Sequence, residues 1–317
     1  AGMAHDTGSP MSVKPSSYTP DTISTPSTPT QTNDPLDTPE EETIDPVEYL
    51  VRTPASQVSY VGPQFETDME TYLVADYESQ EILAGKNIDF KRPMASLTKV
   101  MTGYQLLMDG IGFNKSTTYN SSLHRSKYHM YRIAEGEKVL NNDLMYAMLT
   151  SSLNTPSRML VNSRENQESA FVQRMNTQVQ NWNLKDTVFT DTSGFDSGNQ
   201  TTARDYLTIF SKASKDSNMR KYLGAASYSY SEIADTDGKP DHFDNHSNQL
   251  VGRGDLPYTI LASKTGFLYE AGTCLTMLVE RKTDGKQFVI IQMGNSDFGK
   301  YTRYNEFERL SDWAVTL

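Results

Sequence analysis

Strand-like sequence lies at both ends of the folded part of this chain, and helix-like sequence fills the middle. At the first end, residues 71–86 ("TYLVADYESQEILAGK") place two apolar runs around a polar "ESQE", the pattern of a β-hairpin. At the far end, "YTILASKTG" (258–266), "GTCLTMLVERK" (272–282) and "QFVIIQMG" (287–294) read as three strands joined by short turns, one of them "TDGK". Between them the period changes. From Ser96 to about Met108, residues Leu97, Val100, Met101, Tyr104 and Leu107 recur at helical spacing. "NNDLMYAMLTSSLN", "ESAFVQRMNTQVQNW" and "TARDYLTIFSKAS" read as further helices, and "YNEFERLSDWAV" closes the chain as an amphipathic one. The expected class is α+β: an antiparallel sheet in which the first and last pieces pair, with helices segregated around it.

Residues 1–48 do not belong to that pattern. They hold eight of the 14 prolines, nine acidic residues and a single base, Lys14. Such a tract cannot bury enough apolar surface to offset its ordering entropy, so it reads as an extended linker with local polyproline character. The folded remainder is 49–317, with 49–68 as a leading arm that packs on it. The tract also explains the low mean hydropathy of −0.59. Of the net charge of −11, the linker carries −8. With no basic stripe, nucleic acid is not expected as a partner. A lone cysteine, Cys274, rules out an internal disulfide and reads as a buried thiol in an apolar strand. No apolar run approaches the ~20 residues of a membrane span, and no signal segment is visible at the start.

Three short motifs carry possible chemistry. Ser96 and Lys99, in "RPMASLTKVMTGY", are three apart and so neighbours on a helix. A hydroxyl needs a nearby base to act as a nucleophile, and Pro93 upstream suits a helix start whose free N–H groups can hold an oxyanion. The pair alone equally fits an exposed helix face. Ser152 and Asn154, in "TSSLNTPS", follow an apolar helix, where a short loop would point both polar groups one way. A polar helix end explains them as well. Lys264, Thr265 and Gly266 end a strand; the first two can hold a carboxylate and the glycine lets backbone approach a ligand. A turn after a strand is the plain alternative.

Together, in the order Ser-x-x-Lys, Ser-x-Asn, Lys-Thr-Gly, the motifs form the signature set of penicillin-recognising serine enzymes. With the flanks "EGEKVLNNDLMYAMLTSSLN", "NLKDTVFTDTSGFDSGNQTTARDY", "NHSNQL", "SKTGFLYEAGTCL" and "RYNEFERLSDW", the chain from about Glu70 to Leu317 resembles the D-alanyl-D-alanine carboxypeptidases among the low-molecular-mass penicillin-binding proteins. The resemblance implies a serine β-lactamase/DD-peptidase-like fold, with an antiparallel sheet flanked by helices and a mainly helical subdomain. It implies Ser96 as acylated nucleophile, Lys99 as its base, Ser152 as proton relay and Asn154 as orienter of the substrate amide. Lys264 and Thr265 would line the substrate strand, the N–H groups of Ser96 and Phe267 would form the oxyanion hole, and Arg303 would meet the terminal carboxylate. The implied substrate is a peptidoglycan stem peptide, with β-lactams as covalent inhibitors, no metal or organic cofactor, and an extracytoplasmic location. Any membrane tether would have to precede the linker.

The sequence departs from the family in having Thr155-Pro156 after Ser-x-Asn, which puts the local loop geometry in question. Rival readings are a β-lactamase, a DD-endopeptidase and a non-catalytic envelope-binding module. No glutamate-bearing loop stands out for activating a deacylating water, so slow penicillin hydrolysis is expected. His242, Asp244 and His246 alternate like metal ligands but lack a third histidine nearby, and metal is not expected. Arg253-Gly254-Asp255 reads as a turn, and His124 and His129 as surface or edge residues, with lining of the cleft mouth as the lesser alternative.

Overall fold

The computed structural model describes residues 46–128, 131–162 and 167–317. The expected linker therefore lies outside the described residues except for its last three. The leading arm packs, as expected, and does so from its beginning. A 3-10 turn at Pro46–Tyr49 is followed by buried Leu50 and by a two-residue strand, β1 (Tyr60–Val61). The predicted hairpin is β2 (Thr71–Asp76) and β3 (Ile82–Lys86). A short strand, β4 (Arg92–Pro93), leads through a 3-10 turn, Ala95–Leu97, into α1 (Thr98–Met108). Pro93 is thus a strand residue rather than the first residue of the helix, and Ser96 sits in the turn that starts it.

The middle of the chain is mostly helical. A small hairpin, β5 (Ser116–Thr118) and β6 (Lys138–Leu140), brackets the one-turn α2 (Ser121–His124). Then come α3 (Asn141–Leu149), α4 (Asn154–Val161) and α5 (Glu168–Asn181). A strand β7 (Gln200–Thr201) pairs with β4 and precedes α6 (Ala203–Lys215) and α7 (Ser217–Gly224). After the hairpin β8 (Ser227–Tyr230) and β9 (His242–Asn245), the three predicted strands appear as β10 (Tyr258–Leu268), β11 (Gly272–Arg281) and β12 (Gln287–Asn295). Helix α8 (Arg303–Ala314) ends the chain.

The main sheet has the order β1-β3-β2-β12-β11-β10, every pair antiparallel. Strand β12 pairs with β2 in the register Ile290↔Val74 and Ile291↔Leu73, which joins the two ends of the chain as expected. Successive side chains of a strand point to opposite faces. Leu73, Ala75, Leu278, Val289 and Ile291 accordingly face the helical region, in one core with α1, α3 and α6. Tyr72, Val74, Met277, Phe288 and Ile290 face the other way, against Phe307, Leu310 and Ala314 of α8. Both faces are covered, which is why β11 and β12 read as unbroken apolar runs rather than alternating ones.

Two further sequence expectations need correction. Pro156 does not lie in a loop: it stands in the first turn of α4. The first four N–H groups of a helix have no intrahelical partner, so a proline there loses no hydrogen bond. His124 is not at the surface. Asn120 caps α2 and turns His124 inward, where it is buried and its Nδ1 accepts from the Asn120 N–H at 3.0 Å. His129 lies outside the described residues.

Candidate active site

The segment carrying Ser96 is fixed from several sides. Met94 N–H donates to Asn199 O at 3.0 Å, continuing the β4–β7 pairing. Tyr206 on α6 donates to Leu97 O at 2.9 Å. Upstream, the buried Arg92 guanidinium donates to Val51 O of the leading arm and, at 3.2 Å, to Thr71 Oγ1 of β2. Two glycines press against the turn. Gly194 has φ +78°, and a Cβ there would fall 1.9 Å from Ala95 O. A Cβ on Gly266 would lie 3.2 Å from Ser96 N and 3.0 Å from Met94 O. Any side chain at 194 would displace the Ala95–Ser96 turn, and β10 lies directly beside it. The glycine of Lys-Thr-Gly, expected to let backbone approach a ligand, here lets β10 approach the Ser96 turn.

Lys99 is the centre of the site. It is fully buried, and its Nζ donates to Ser96 Oγ at 2.8 Å, Asn154 Oδ1 at 2.7 Å and Ser193 O at 2.6 Å. Burial disfavours the ammonium and lowers its pKa to about 7, against a weaker opposing pull from Asp191. Asp191 also shapes the loop that reaches Lys99. Its Oδ1 accepts from the N–H groups of Ser193, at 2.8 Å, and Gly194. Its Oδ2 accepts from Asp196 N–H at 2.7 Å. Neither Asp191 nor Ser193 was singled out from the sequence. The one available signal was the Asp-x-Ser-Gly run, an Asx-turn pattern.

A second group surrounds Lys264, also fully buried. Its Nζ donates to Ser152 Oγ at 2.6 Å and to Thr265 O at 2.8 Å. Its pKa is driven well below the ordinary lysine range, first by burial and then by the Lys99 charge. Ser152 holds φ +64°, a left-handed conformation costly for a residue with a side chain. This backbone kink between α3 and α4 aims its hydroxyl at Lys264. Asn154, the first residue of α4, is fully engaged: its Oδ1 meets Lys99 and its Nδ2 donates to Tyr128 O at 3.0 Å. Ser152 and Asn154 therefore serve different lysines.

Two cavities open beside Ser96. One, of about 330 Å³, is lined by Ser96, Ser152, Ser247, Thr265, Lys300 and Arg303. Thr265 Oγ1 donates to Ser247 Oγ at 2.6 Å. Arg303, at the start of α8, uses Nε on Gly299 O at 2.7 Å and lies 5.7 Å over the Phe267 ring. Among the described residues its two Nη groups meet no protein acceptor. The other cavity, of about 350 Å³, is lined by Tyr128, Asn154, Phe195, Phe267, Tyr269 and Glu270 beside Ser96. All the site residues read from the sequence thus come together, whereas Ser247, Lys300, Tyr128, Phe195 and Glu270 emerge only from the fold. Cys274, paired with Gly266 across the strands, is buried with its thiol pKa pushed up to about 11 by burial. His242 is bound to Glu232 at 2.7 Å and stacked on Tyr131 and Tyr230, while His246 accepts from Asn248 N–H at 2.9 Å, so the alternating triplet serves separate hydrogen bonds.

The family described as D-alanyl-D-alanine carboxypeptidase matches residues 57–296. The D-alanyl-D-alanine endopeptidase of Pseudomonas aeruginosa is 27% identical over 248 residues, 77% of this chain and 76% of that protein. A D-alanyl-D-alanine carboxypeptidase of Escherichia coli is 31% identical over 157 residues, 45% of this chain and 38% of that protein. Among solved structures, a D-alanyl-D-alanine carboxypeptidase from Mycobacterium tuberculosis superposes with a TM-score of 0.70 at 22% identity, covering 80% of this chain and 94% of that one. Penicillin-binding protein D2 of Listeria monocytogenes in its ampicillin-bound form gives 0.66 at 24%, over 80% and 99%. The family match over residues 57–296, more than half of the chain, places the protein in the D-alanyl-D-alanine carboxypeptidase family of serine peptidases.

Proposed function

We propose that this enzyme cleaves the D-Ala-D-Ala bond of peptidoglycan stem peptides through an ester on Ser96. The observation that carries the assignment is the buried Lys99 amine, with a pKa near 7, hydrogen-bonded to the Ser96 hydroxyl. Neutral Lys99 takes the Ser96 proton as Oγ attacks the penultimate D-Ala carbonyl. The N–H groups of Ser96 and Phe267 hold the oxyanion. Ser152, backed by Lys264, passes a proton to the departing amine, and water then attacks the ester to release the shortened peptide and free Ser96. Asn154 holds Lys99 in the free site and turns to the substrate amide on binding. A gel with fluorescent penicillin separates this reading from a non-catalytic envelope module. Product analysis on a pentapeptide separates it from a β-lactamase.

Carboxylate recognition falls to Arg303 with Thr265. A charge-assisted hydrogen bond is worth about 1.5–3 kcal/mol. Arg303→Ala should therefore lower kcat/KM on D-Ala-D-Ala peptides about ten- to a hundredfold, with little change on a peptide whose terminal carboxyl is amidated. Equal losses on both peptides would assign Arg303 a structural role.

An endopeptidase activity is the second reading. The named relatives include endopeptidases, and the cavity on the Arg303 side, about 330 Å³, is roomier than a single alanine needs. The chemistry is compatible with the same arginine. Where the cross-linking residue is a diamino diacid, the carbon that bears the leaving amine also carries a carboxylate. Comparing rates on a pentapeptide and on a cross-linked dimer decides which substrate dominates.

Peptidoglycan lies outside the cytoplasm, so the enzyme acts there. Among the described residues no helix is long and apolar enough to cross a membrane. We propose that the Pro/Thr/acidic tract at 1–48 is a spacer holding the domain 49–317 away from an envelope surface. Deleting residues 1–45 should leave penicillin labelling and Tm unchanged. Deleting 1–53 should lower Tm by several degrees, because it removes Leu50 and the Val51 carbonyl that accepts from buried Arg92. A Tm loss on the shorter deletion would show that the tract packs.

A further inference from the structure

The cavity opposite Arg303 has no role in releasing the terminal residue, yet it adjoins Ser96. Three of its rings are unusually open for large apolar groups: Tyr128 is 62% exposed, Tyr269 48% and Phe195 41%. Tyr128 and Phe195, from separate loops, stack with ring centroids 5.3 Å apart. Glu270 supplies the one carboxylate of the lining. Its backbone carbonyl accepts from Val51 N–H at 2.9 Å, and Tyr49 stacks on Tyr269, so the leading arm fixes the turn that carries it. Among the described residues the Glu270 side chain has neither a hydrogen bond nor an ion pair. A partly buried carboxylate without a partner, beside exposed aromatic faces, is the arrangement that receives a cation on an apolar stem.

We propose that this cavity is the subsite for the third residue of the stem peptide and that it selects a diamino-acid side chain whose terminal amine is free. The inference rests on the assignment of Ser96 as nucleophile. The two sides of Ser96 then divide the substrate. The Arg303 side takes the leaving residue and its carboxylate, and the Glu270 side takes the acyl part. The aromatic faces cover the methylenes of the diamino side chain, and Glu270 meets its ammonium. Once that amine is acylated, as it is in a cross-link, the charge is gone and the contact with Glu270 is lost. The subsite therefore reads whether the strand being cut has already served as an acceptor. The preference is for uncross-linked donor strands, in the carboxypeptidase and endopeptidase readings alike.

The test uses two pentapeptides ending in D-Ala-D-Ala, one with lysine at the third position and one with Nε-acetyl-lysine, on the unmodified protein and on Glu270→Gln. The lysine peptide should have a kcat/KM about five- to tenfold higher on the parent protein, a preference that shrinks as salt is raised. Glu270→Gln should erase the preference by slowing the lysine peptide alone. Penicillin acylation, which makes no use of a third residue, should be the same in both proteins. Equal rates on the two peptides with the parent protein would overturn the proposal without any variant, and so would Glu270→Gln slowing both peptides equally. Loss of penicillin acylation by the parent protein would instead refute the Ser96 mechanism, which keeps the two failures apart.

Discussion

Incubation with penicillin should add one antibiotic mass to the protein, on Ser96, and Ser96→Ala should show no adduct. The lactam carbonyl belongs to a strained amide and carries a carboxylate nearby, so it can occupy the place of the scissile D-Ala carbonyl. In that place the carboxylate would face Arg303 and Thr265, which line the cavity with Ser96, and the carbonyl would face the Ser96 turn. No other hydroxyl in the site has the same support. Ser152 Oγ accepts from Lys264, its one hydrogen-bond partner among the described residues, on a backbone held at φ +64°. Ser247 is bonded to Thr265. Only Ser96 combines a lysine amine with a pKa near 7 and the backbone of β10 pressed against its own N–H. The substitution removes the atom that forms the ester, so the expected effect is complete loss rather than slowing. The adduct should also persist on the parent protein, because no glutamate-bearing loop stands out in the sequence to activate a deacylating water. Intact-mass spectrometry followed by peptide mapping checks each point. An adduct retained in Ser96→Ala, or mapped to Ser152, would sink the assignment.

The parts legible in the sequence were those whose signal is local. Ser96 and Lys99 are one helical turn apart, so their contact is written into a three-residue spacing. The strands β10 to β12 are adjacent in sequence, and their order follows from short turns alone. The other two acceptors of Lys99 are another matter. Asn154 is 55 residues away and Ser193 is 94, and the Lys264–Ser152 bond spans 112. Family resemblance named Asn154 and Ser152, but no spacing rule could assign one to each lysine; that follows from the left-handed backbone at Ser152. Helix α4 was missed because Asn-Thr-Pro looks like a loop, although a helix tolerates proline where its N–H groups are free anyway. His124 was misplaced for a related reason, since a single-turn helix has no periodicity to show which face is buried. Tyr128, Phe195 and Glu270 each lie in an unremarkable loop and acquire a shared cavity only when three distant segments meet.

The acylation rate should rise with pH through about 7 and level off above 8, and Lys99→Arg should lose it by about a hundred- to ten-thousandfold. The direction follows from what the amine must do. Lys99 accepts a proton from Ser96 only when it is neutral. An ordinary lysine, with a pKa of ~10.4, is almost wholly charged at neutral pH. Burial in this site makes the ammonium costly, and the folded-state pKa comes down to about 7. Above that value the base is free and the rate is flat. Below it the neutral fraction falls about tenfold per pH unit, so acylation at pH 5 should be roughly a hundredfold slower than the plateau. Arginine keeps the charge and a forked set of donors but cannot give up its proton, so a role confined to electrostatics or positioning would survive in Lys99→Arg. The measurement should be single-turnover acylation by a chromogenic β-lactam, which isolates proton removal from ester hydrolysis. Near-normal acylation by the arginine variant, or a profile flat from pH 5 to 9, would mean that Lys99 is not the base. Lys264, hydrogen-bonded to Ser152 and likewise depressed by burial, would then be the next candidate.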